Sequence, residues 1–93
     1  MLVEDYSNQA EKFLRKIDDL LFRRIDNKIQ SLRNNPFPTD SKRVYDKEFE
    51  GTTFRIRVGG YRIFYGANYN KNLLLVHKIK KRPQAYVKED GEL

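Results

Sequence analysis

The chain has 93 residues, a net charge of +6 at pH 7 and no cysteine. One domain spanning residues 1–93 is expected at this length, and the lack of cysteine excludes disulfides, thiolate metal sites and a cysteine nucleophile. The longest apolar run, residues 73–76, is too short to cross a bilayer, and the first residues do not resemble a signal peptide, so we expect a cytoplasmic protein without a membrane partner.

The first third of the sequence has helical periodicity. Apolar side chains recur at spacings of three and four through residues 7–34, which predicts amphipathic helix. Ser7 can cap the start, and Asp18 or Asp19 can cap a second helix after a break, which gives two antiparallel helices. One long helix is the alternative, because the apolar phase continues through the two aspartates. Residues 2–6 are a candidate for a short first strand.

The second half of the sequence alternates apolar and polar residues, which predicts strands. The candidate strands are residues 42–49, 54–58, 61–68 and 73–79. The Gly59-Gly60 pair is typical of a two-residue hairpin turn. Helices followed by a meander of strands predict an α+β fold, in which two N-terminal helices pack on one face of a mainly antiparallel twisted sheet of about four strands.

The two-residue turn predicts the register of the hairpin. It sets Arg57 opposite Arg62 and Arg55 opposite Phe64, and side-chain alternation then divides the residues between two faces. The face expected to pack against the helices carries Phe54, Ile56, Val58, Tyr61, Ile63 and Tyr65. The other face carries Arg55, Arg57, Arg62 and Phe64.

Basic residues are concentrated in the same half of the chain. Residues 1–50 contain ten Lys/Arg and ten Asp/Glu, whereas residues 51–88 contain nine Lys/Arg and no acidic residue. Like charges directly opposite each other destabilise a sheet by up to roughly 1 kcal/mol, whereas an anion bound between guanidinium groups stabilises them. The pattern therefore favours a polyanion partner over the alternative, a solvated arginine face without a ligand.

A second basic segment follows the last strand. Arg82 and Tyr86 can flank the arginines there, and a tyrosine can stack on a base or exchange a proton. His77 is the single histidine. Burial in the core is its expected role, and a role as acid or base requires its side chain to face the arginines. One histidine without cysteine or nearby carboxylates cannot fill a usual ligand set, so neither a metal nor another cofactor is expected.

Two stretches resemble motifs of the RelE/ParE toxin superfamily, and of its RelE-type ribonucleases in particular. Residues 54–65 read FRIRVGGYRIFY and are similar to the family pattern YRIRVGDYRVIY, and residues 80–86 read KKRPQAY and are similar to its ending. The resemblance implies the toxin of a type II toxin-antitoxin system, a metal-independent endoribonuclease that cleaves messenger RNA on the ribosome and inhibits translation. It also implies a RelB-like antitoxin as partner.

The resemblance assigns five catalytic positions: Arg55, Arg57, Arg62, Arg82 and Tyr86. In the mechanism expected from it, the ribose 2′-oxygen attacks the adjacent phosphate and the strand arginines bind the developing charge. Arg82 stabilises the leaving oxygen and Tyr86 is the candidate base. Further RNA contacts are expected from Phe64, Lys78, Lys80 and Lys81. The alternatives are a non-catalytic ParE-like toxin acting on a protein and a basic module that only binds RNA.

Overall fold

Two helices and five strands are present in residues 1–82, which are the residues that this computed structural model describes. In chain order the elements are β1 (Val3–Tyr6), α1 (Asn8–Lys16), α2 (Asp19–Asn34), β2 (Lys42–Val44), β3 (Thr53–Val58), β4 (Tyr61–Asn68) and β5 (Leu73–Lys81). The strands form one sheet in the order β1-β5-β4-β3-β2, in which β1 pairs parallel with β5 and the other pairs are antiparallel. The predicted α+β fold is confirmed, with five strands instead of about four.

The break between the helices is made by a capping aspartate. Ile17 and Asp18 have extended backbone conformations, and the Asp18 carboxylate accepts a hydrogen bond of 2.8 Å from the backbone N–H of Leu21. Such a cap satisfies one of the N–H groups that the first turn of a helix leaves without a partner. Two helices are therefore confirmed, and the alternative of one long helix is wrong. Neither helix is long and apolar enough to span a membrane.

The edge of β5 is completed by the start of the chain. Strand β1 pairs with residues 73–76. Beyond that point, the Ser7 hydroxyl donates to the carbonyl oxygen of His77 at 2.8 Å, and the Gln9 amide both donates to and accepts from the backbone of Ile79 at 3.0 Å. These side chains continue the hydrogen bonding after the partner strand has ended, so this edge of the sheet is covered.

Strand β2 is shorter than the predicted strand at residues 42–49. After Val44 the chain turns, because the Asp46 side chain accepts from the backbone N–H of Glu48 at 3.0 Å and its carbonyl oxygen accepts from the N–H of Phe49 at 3.1 Å. Aspartate favours such local turns over a strand ladder. Residues 45–52 therefore form a loop between β2 and β3, which we call the β2–β3 loop.

The core lies between the helices and one face of the sheet, which we call the inner face. Its fully buried members are Ile25, Ile29 and Leu32 of α2 and Ile56, Ile63, Tyr65, Leu74, Val76 and Ile79 of the strands. The Tyr65 hydroxyl donates to the carbonyl oxygen of Pro36 at 2.6 Å, so its polar atom is paired within the core. The predicted inner face of the hairpin is confirmed, with Phe54 and Tyr61 half-buried at its margins.

The β3–β4 hairpin has the register that the sequence predicts. Arg57 pairs with Arg62, and Arg55 pairs with Phe64. Gly59 has a φ of +57°, at the first central position of the turn, where glycine adopts positive φ without steric cost. A Cβ atom at Gly59 would lie 2.9 Å from the Arg24 guanidinium, whereas one at Gly60 would have nothing within 4 Å.

The two turn glycines are therefore expected to respond differently to substitution. Gly59→Ala should lower the free energy of unfolding by about 1–2 kcal/mol, because an L residue is strained at positive φ. A loss of 1 kcal/mol corresponds to a drop in Tm of about 4–8 °C for a domain of this size. Gly60→Ala is the matched control and should change Tm much less. Thermal denaturation of both variants provides the test, and equal losses would contradict the role given to φ at Gly59.

Candidate functional site

The outer face of the sheet carries two cross-strand rows, which contain five basic residues and Phe64. The first row consists of Arg57, Arg62 and Lys80 on β3, β4 and β5, and the second consists of Arg55, Phe64 and Lys78 on the same strands. We call these six residues the basic face. Because directly opposite residues share a face, the cross-strand pairs put all six on the side away from the helices. Arg57 and Lys80 are exposed and the other four are partly exposed.

Two further predicted residues, Lys81 and Arg82, lie at the end of β5. Lys81 pairs with Tyr61, so its position in the strand belongs to the inner face, and the structure does not bring it together with the arginines. Arg82 is exposed, and its backbone N–H donates to the carbonyl oxygen of Gly60 at 2.6 Å, which ties the end of β5 to the hairpin turn. Tyr86 lies outside the described residues.

Acidic residues of the β2–β3 loop reach the basic face. The Lys78 ammonium lies 3.1 Å from a carboxylate oxygen of Asp46 and 3.3 Å from one of Glu48. Sequence alone had suggested a basic half without acidic partners, and this expectation is wrong for Lys78. The partners come from the charge-balanced half of the chain, so the local sequence around Lys78 gives no sign of them.

The ion pairs shift the protonation of both partners. The backbone N–H of Glu48 and the Lys78 ammonium hold the pKa of Asp46 below its ordinary value. Burial alone would lower the pKa of Lys78, but hydrogen bonds to Asp46 and Glu48 raise it above its ordinary value. Asp46 is therefore ionised and Lys78 is charged at neutral pH, so Lys78 is not available as a base.

A bulge in β5 changes the direction of the side chains. Phe64 pairs with Lys78 but Tyr65 pairs with Val76, so His77 is the additional residue in β5. The bulge allows Val76 and Ile79 to be buried on the inner face although three positions separate them, and it turns Lys78 outward. The apolar residues at 74, 76 and 79 break the period of two, and this signal in the sequence could have identified the bulge.

His77 is covered by the β2–β3 loop. Its ring stacks on Phe49 with ring centroids 4.0 Å apart and nearly parallel planes, and its Nε2 lies 3.4 Å from the hydroxyl of the buried Thr53. Gly66 allows a close approach of the loop backbone, since a Cβ there would lie 3.1 Å from the backbone oxygen of Thr52. The His77 side chain is 8% exposed. Phe49 covers one face of the imidazole, which limits its use as an acid or base.

Burial lowers the pKa of His77 below its ordinary value of 6.5. The Lys78 ammonium also lowers this pKa, and the Asp46 carboxylate raises it by less than burial lowers it. The nearest atoms of His77 and Asp46 are 3.8 Å apart. The imidazole is therefore neutral at pH 7. It packs against Phe49 of the β2–β3 loop, so the expected place in the core is wrong.

Comparison of the sequence with known families identifies one match. The family model described as ParE toxin of type II toxin-antitoxin system, parDE, matches residues 5–86. The toxin RelE1 of Methanocaldococcus jannaschii is 26% identical over 58 residues, which are 62% of this chain and 64% of that protein. The match thus spans less than two thirds of that relative's length.

The fold is similar to those of solved toxin structures. A chain of the archaeal RelE-RelB complex from Pyrococcus horikoshii superimposes with a TM-score of 0.75 and 23% identity, covering 90% of this chain and 98% of that one. The isolated E. coli RelE toxin also gives a TM-score of 0.75, at 19% identity, covering 98% of this chain and 95% of that one. At these identities the likeness demonstrates a shared fold.

The neutral state of His77 predicts a specific pH dependence of stability. Its pKa is lower in the folded than in the unfolded chain, so the unfolded chain binds more protons as the pH falls below about 6.5. The free energy of unfolding should therefore decrease from pH 7.5 to pH 5.5. Urea denaturation at several pH values measures this slope.

His77→Phe is the informative variant, because it keeps an aromatic ring against Phe49 and removes the only histidine of the chain. Its stability should change little between pH 7.5 and pH 5.5. Asp46 does not contribute in this range, since its pKa is lowered from 3.8. A variant that keeps the native slope would show that the pH dependence arises elsewhere.

Proposed function

Since this chain belongs to the RelE/ParE superfamily of type II toxin-antitoxin toxins, we propose that it is an endoribonuclease that cleaves messenger RNA on the ribosome without a metal ion. The observation that carries the proposal is the pairing of Arg57 with Arg62, and of Arg55 with Phe64, on one accessible face of the sheet. Guanidinium groups match phosphate oxygens through paired hydrogen bonds. The basic face therefore has the chemistry to hold a phosphodiester.

The proposed reaction needs stabilisation of negative charge. The ribose 2′-oxygen forms a bond to the adjacent phosphorus as the bond to the 5′-oxygen breaks, which leaves a cyclic phosphate and a 5′-hydroxyl. Charge on the phosphate oxygens rises in the transition state, and fixed donors aimed at that charge lower the barrier. Arg55, Arg57 and Arg62 supply these donors in the proposal. Their strands, β3 and β4, form a hairpin that is flanked by β5 on one side and by β2 on the other, so the backbone that carries the arginines is fixed before binding.

The pairing of two arginines is also consistent with an anionic substrate. Arg57 and Arg62 are direct cross-strand neighbours, and such like charges cost up to roughly 1 kcal/mol. A phosphate between them reverses the sign of the interaction. A bound polyanion therefore explains the presence of two arginines at one cross-strand pair more simply than the stability of the sheet does.

Proton transfer requires other groups, because arginine stays charged at any pH near neutrality. Tyr86 is our proposed base, which takes the proton of the 2′-hydroxyl. Arg82 is proposed to stabilise the leaving 5′-oxygen by a hydrogen bond, and that oxygen takes its proton from water. The hydrogen bond between Arg82 and Gly60 supports the second assignment, since it holds Arg82 at the end of the hairpin that carries Arg57 and Arg62. His77 is not part of the proposal, because Phe49 covers its ring.

We also propose a RelB-like antitoxin as partner. Solved structures with this fold include complexes of RelE with RelB from Pyrococcus horikoshii and from E. coli. An acidic antitoxin segment fits the charge of the basic face and would compete with RNA for it. The ribosome is the proposed place of cleavage, as the family resemblance of the two sequence motifs implies.

The proposal predicts a large effect at Arg62. Arg62→Ala should reduce the single-turnover rate of cleavage of ribosome-bound messenger RNA by about 10²–10³-fold, because it removes a donor to the phosphate. Tyr86→Phe should reduce the rate by about 10²–10⁴-fold if the tyrosine transfers a proton. Quenched-flow sampling followed by primer extension gives the rates.

The matched control is Arg23→Ala, which removes an exposed arginine of α2, on the side of the sheet away from the basic face. Its rate should equal that of the native chain, and its net charge equals that of Arg62→Ala. Near-native rates for both Arg62→Ala and Tyr86→Phe would reject the assignment.

A toxin that acts on a protein target is the second candidate, because the matching family model is described for ParE. Growth arrest without new RNA ends would favour it. A module that only binds RNA would also leave the ends unchanged, and its affinity would fall steeply with salt concentration. Primer extension on RNA from cells that express the chain therefore separates the enzyme from both alternatives.

A further inference from the structure

A groove lies between the β2–β3 loop and the basic face. Its walls include Tyr45, Asp46 and Glu48 of the loop and Phe64, Lys78 and Lys80 of the sheet. The groove has a volume of about 400 Å³, which lies within the usual range of small-ligand sites. It is thus large enough to accept one planar group from a polymer bound on the sheet.

The groove adjoins the arginines. Phe64 pairs with Arg55 on one side and with Lys78 on the other, and Lys80 pairs with Arg62. The Cβ atoms of such direct partners are about 4.5–5.5 Å apart. A nucleotide with its phosphate on the arginines would therefore have its base within reach of the groove.

The groove contains aromatic surfaces suited to stacking. The Tyr45 side chain is 89% exposed, so its ring is accessible at the rim. Phe64 is partly exposed in the lining of the groove, and the Lys78 ammonium lies over its ring, 5.6 Å from the centroid, so a base can contact Phe64 only where the lysine leaves the ring open. Aromatic rings beside lysines are the usual means by which proteins bind unstacked bases together with their phosphates.

Glu48 adds a hydrogen-bond acceptor to this surface. One of its carboxylate oxygens contacts Lys78 at 3.3 Å, and the side chain remains 73% exposed, so the carboxylate is oriented and still accessible. A carboxylate accepts hydrogen bonds from an amino group, such as N4 of cytosine. Adenine and guanine also carry exocyclic amino groups, whereas uracil has carbonyl oxygens in their place.

We propose that the groove is a nucleobase subsite, in which Tyr45 and Phe64 stack on the base and Glu48 selects bases that carry an exocyclic amino group. This inference rests on the RNA substrate of the proposed function. An acidic side chain fits this groove less well than a base does, because it would put a carboxylate beside Asp46 and Glu48, whereas a nucleobase is uncharged. Tyr45 and Glu48 are specificity residues in this assignment, distinct from the arginines that hold the phosphate.

The test is equilibrium binding of four 2′-O-methyl RNA tetramers that differ in one central base. They cannot be cleaved by attack of the 2′-oxygen, so binding is separated from reaction. In NMR titrations of the full chain, the uracil tetramer should bind about 5- to 150-fold more weakly than the best of the other three. Glu48→Gln should remove this preference, and Tyr45→Leu should weaken binding of all four by about 5- to 150-fold.

Two substitutions serve as matched controls. Glu50→Gln and Tyr69→Leu change exposed residues of the same types that do not line the groove, and both should bind like the native chain. Equal affinity of the native chain for the four tetramers would overturn the subsite, even if the chain cleaves RNA. Base-selective binding that depends on Glu48, without new RNA ends in the cleavage assay, would support the subsite and reject the nuclease.

Discussion

The register of the β3–β4 hairpin is the constraint on which the basic face depends. Because side chains alternate along a strand, a shift of one residue would turn the arginines towards the helices and Ile56 and Ile63 towards solvent. Burial of a large apolar side chain contributes about 1.5–3 kcal/mol, which exceeds the repulsion of up to roughly 1 kcal/mol between opposed arginines. The core therefore fixes the pairing, and the convergence of the guanidinium groups follows from it.

The hairpin could be predicted from the sequence because its information is local. Two glycines set the turn, and the partners of Arg57 and Arg55 lie within ten residues of them. The parallel pairing of β1 with β5 and the contact between Glu48 and Lys78 join residues about 70 and 30 positions apart. No periodicity within either segment specifies such partners. The sequence therefore indicates residues 2–6 as a candidate strand but not its pairing with β5, and it gives no sign of the loop acids beside Lys78.

The surroundings of Lys78 and His77 illustrate two further limits of sequence patterns. The charge of a sequence segment does not give the charge around a residue in the fold. Asp46 and Glu48, from the half of the chain with no net charge, form ion pairs with Lys78 of the basic half. The single extra residue at His77 shifts the phase of β5, so that Lys78 faces outward and Ile79 inward. Periodicity alone does not assign the His77 side chain to either face of the sheet. In the structure its ring forms the surface against which Phe49 and the β2–β3 loop pack.

The pairing of the first strand with the last also governs when the fold can form during synthesis. Residues 3–6 emerge first, but their partners, residues 73–76, are among the last of the described chain to be made. Closure of so long a loop delays folding more than local hairpin formation does. A nascent chain that ends before β5 lacks Lys78 and Lys80 and leaves the edge of β4 unpaired. Completion of the sheet therefore waits for the synthesis of β5, the last strand among the described residues.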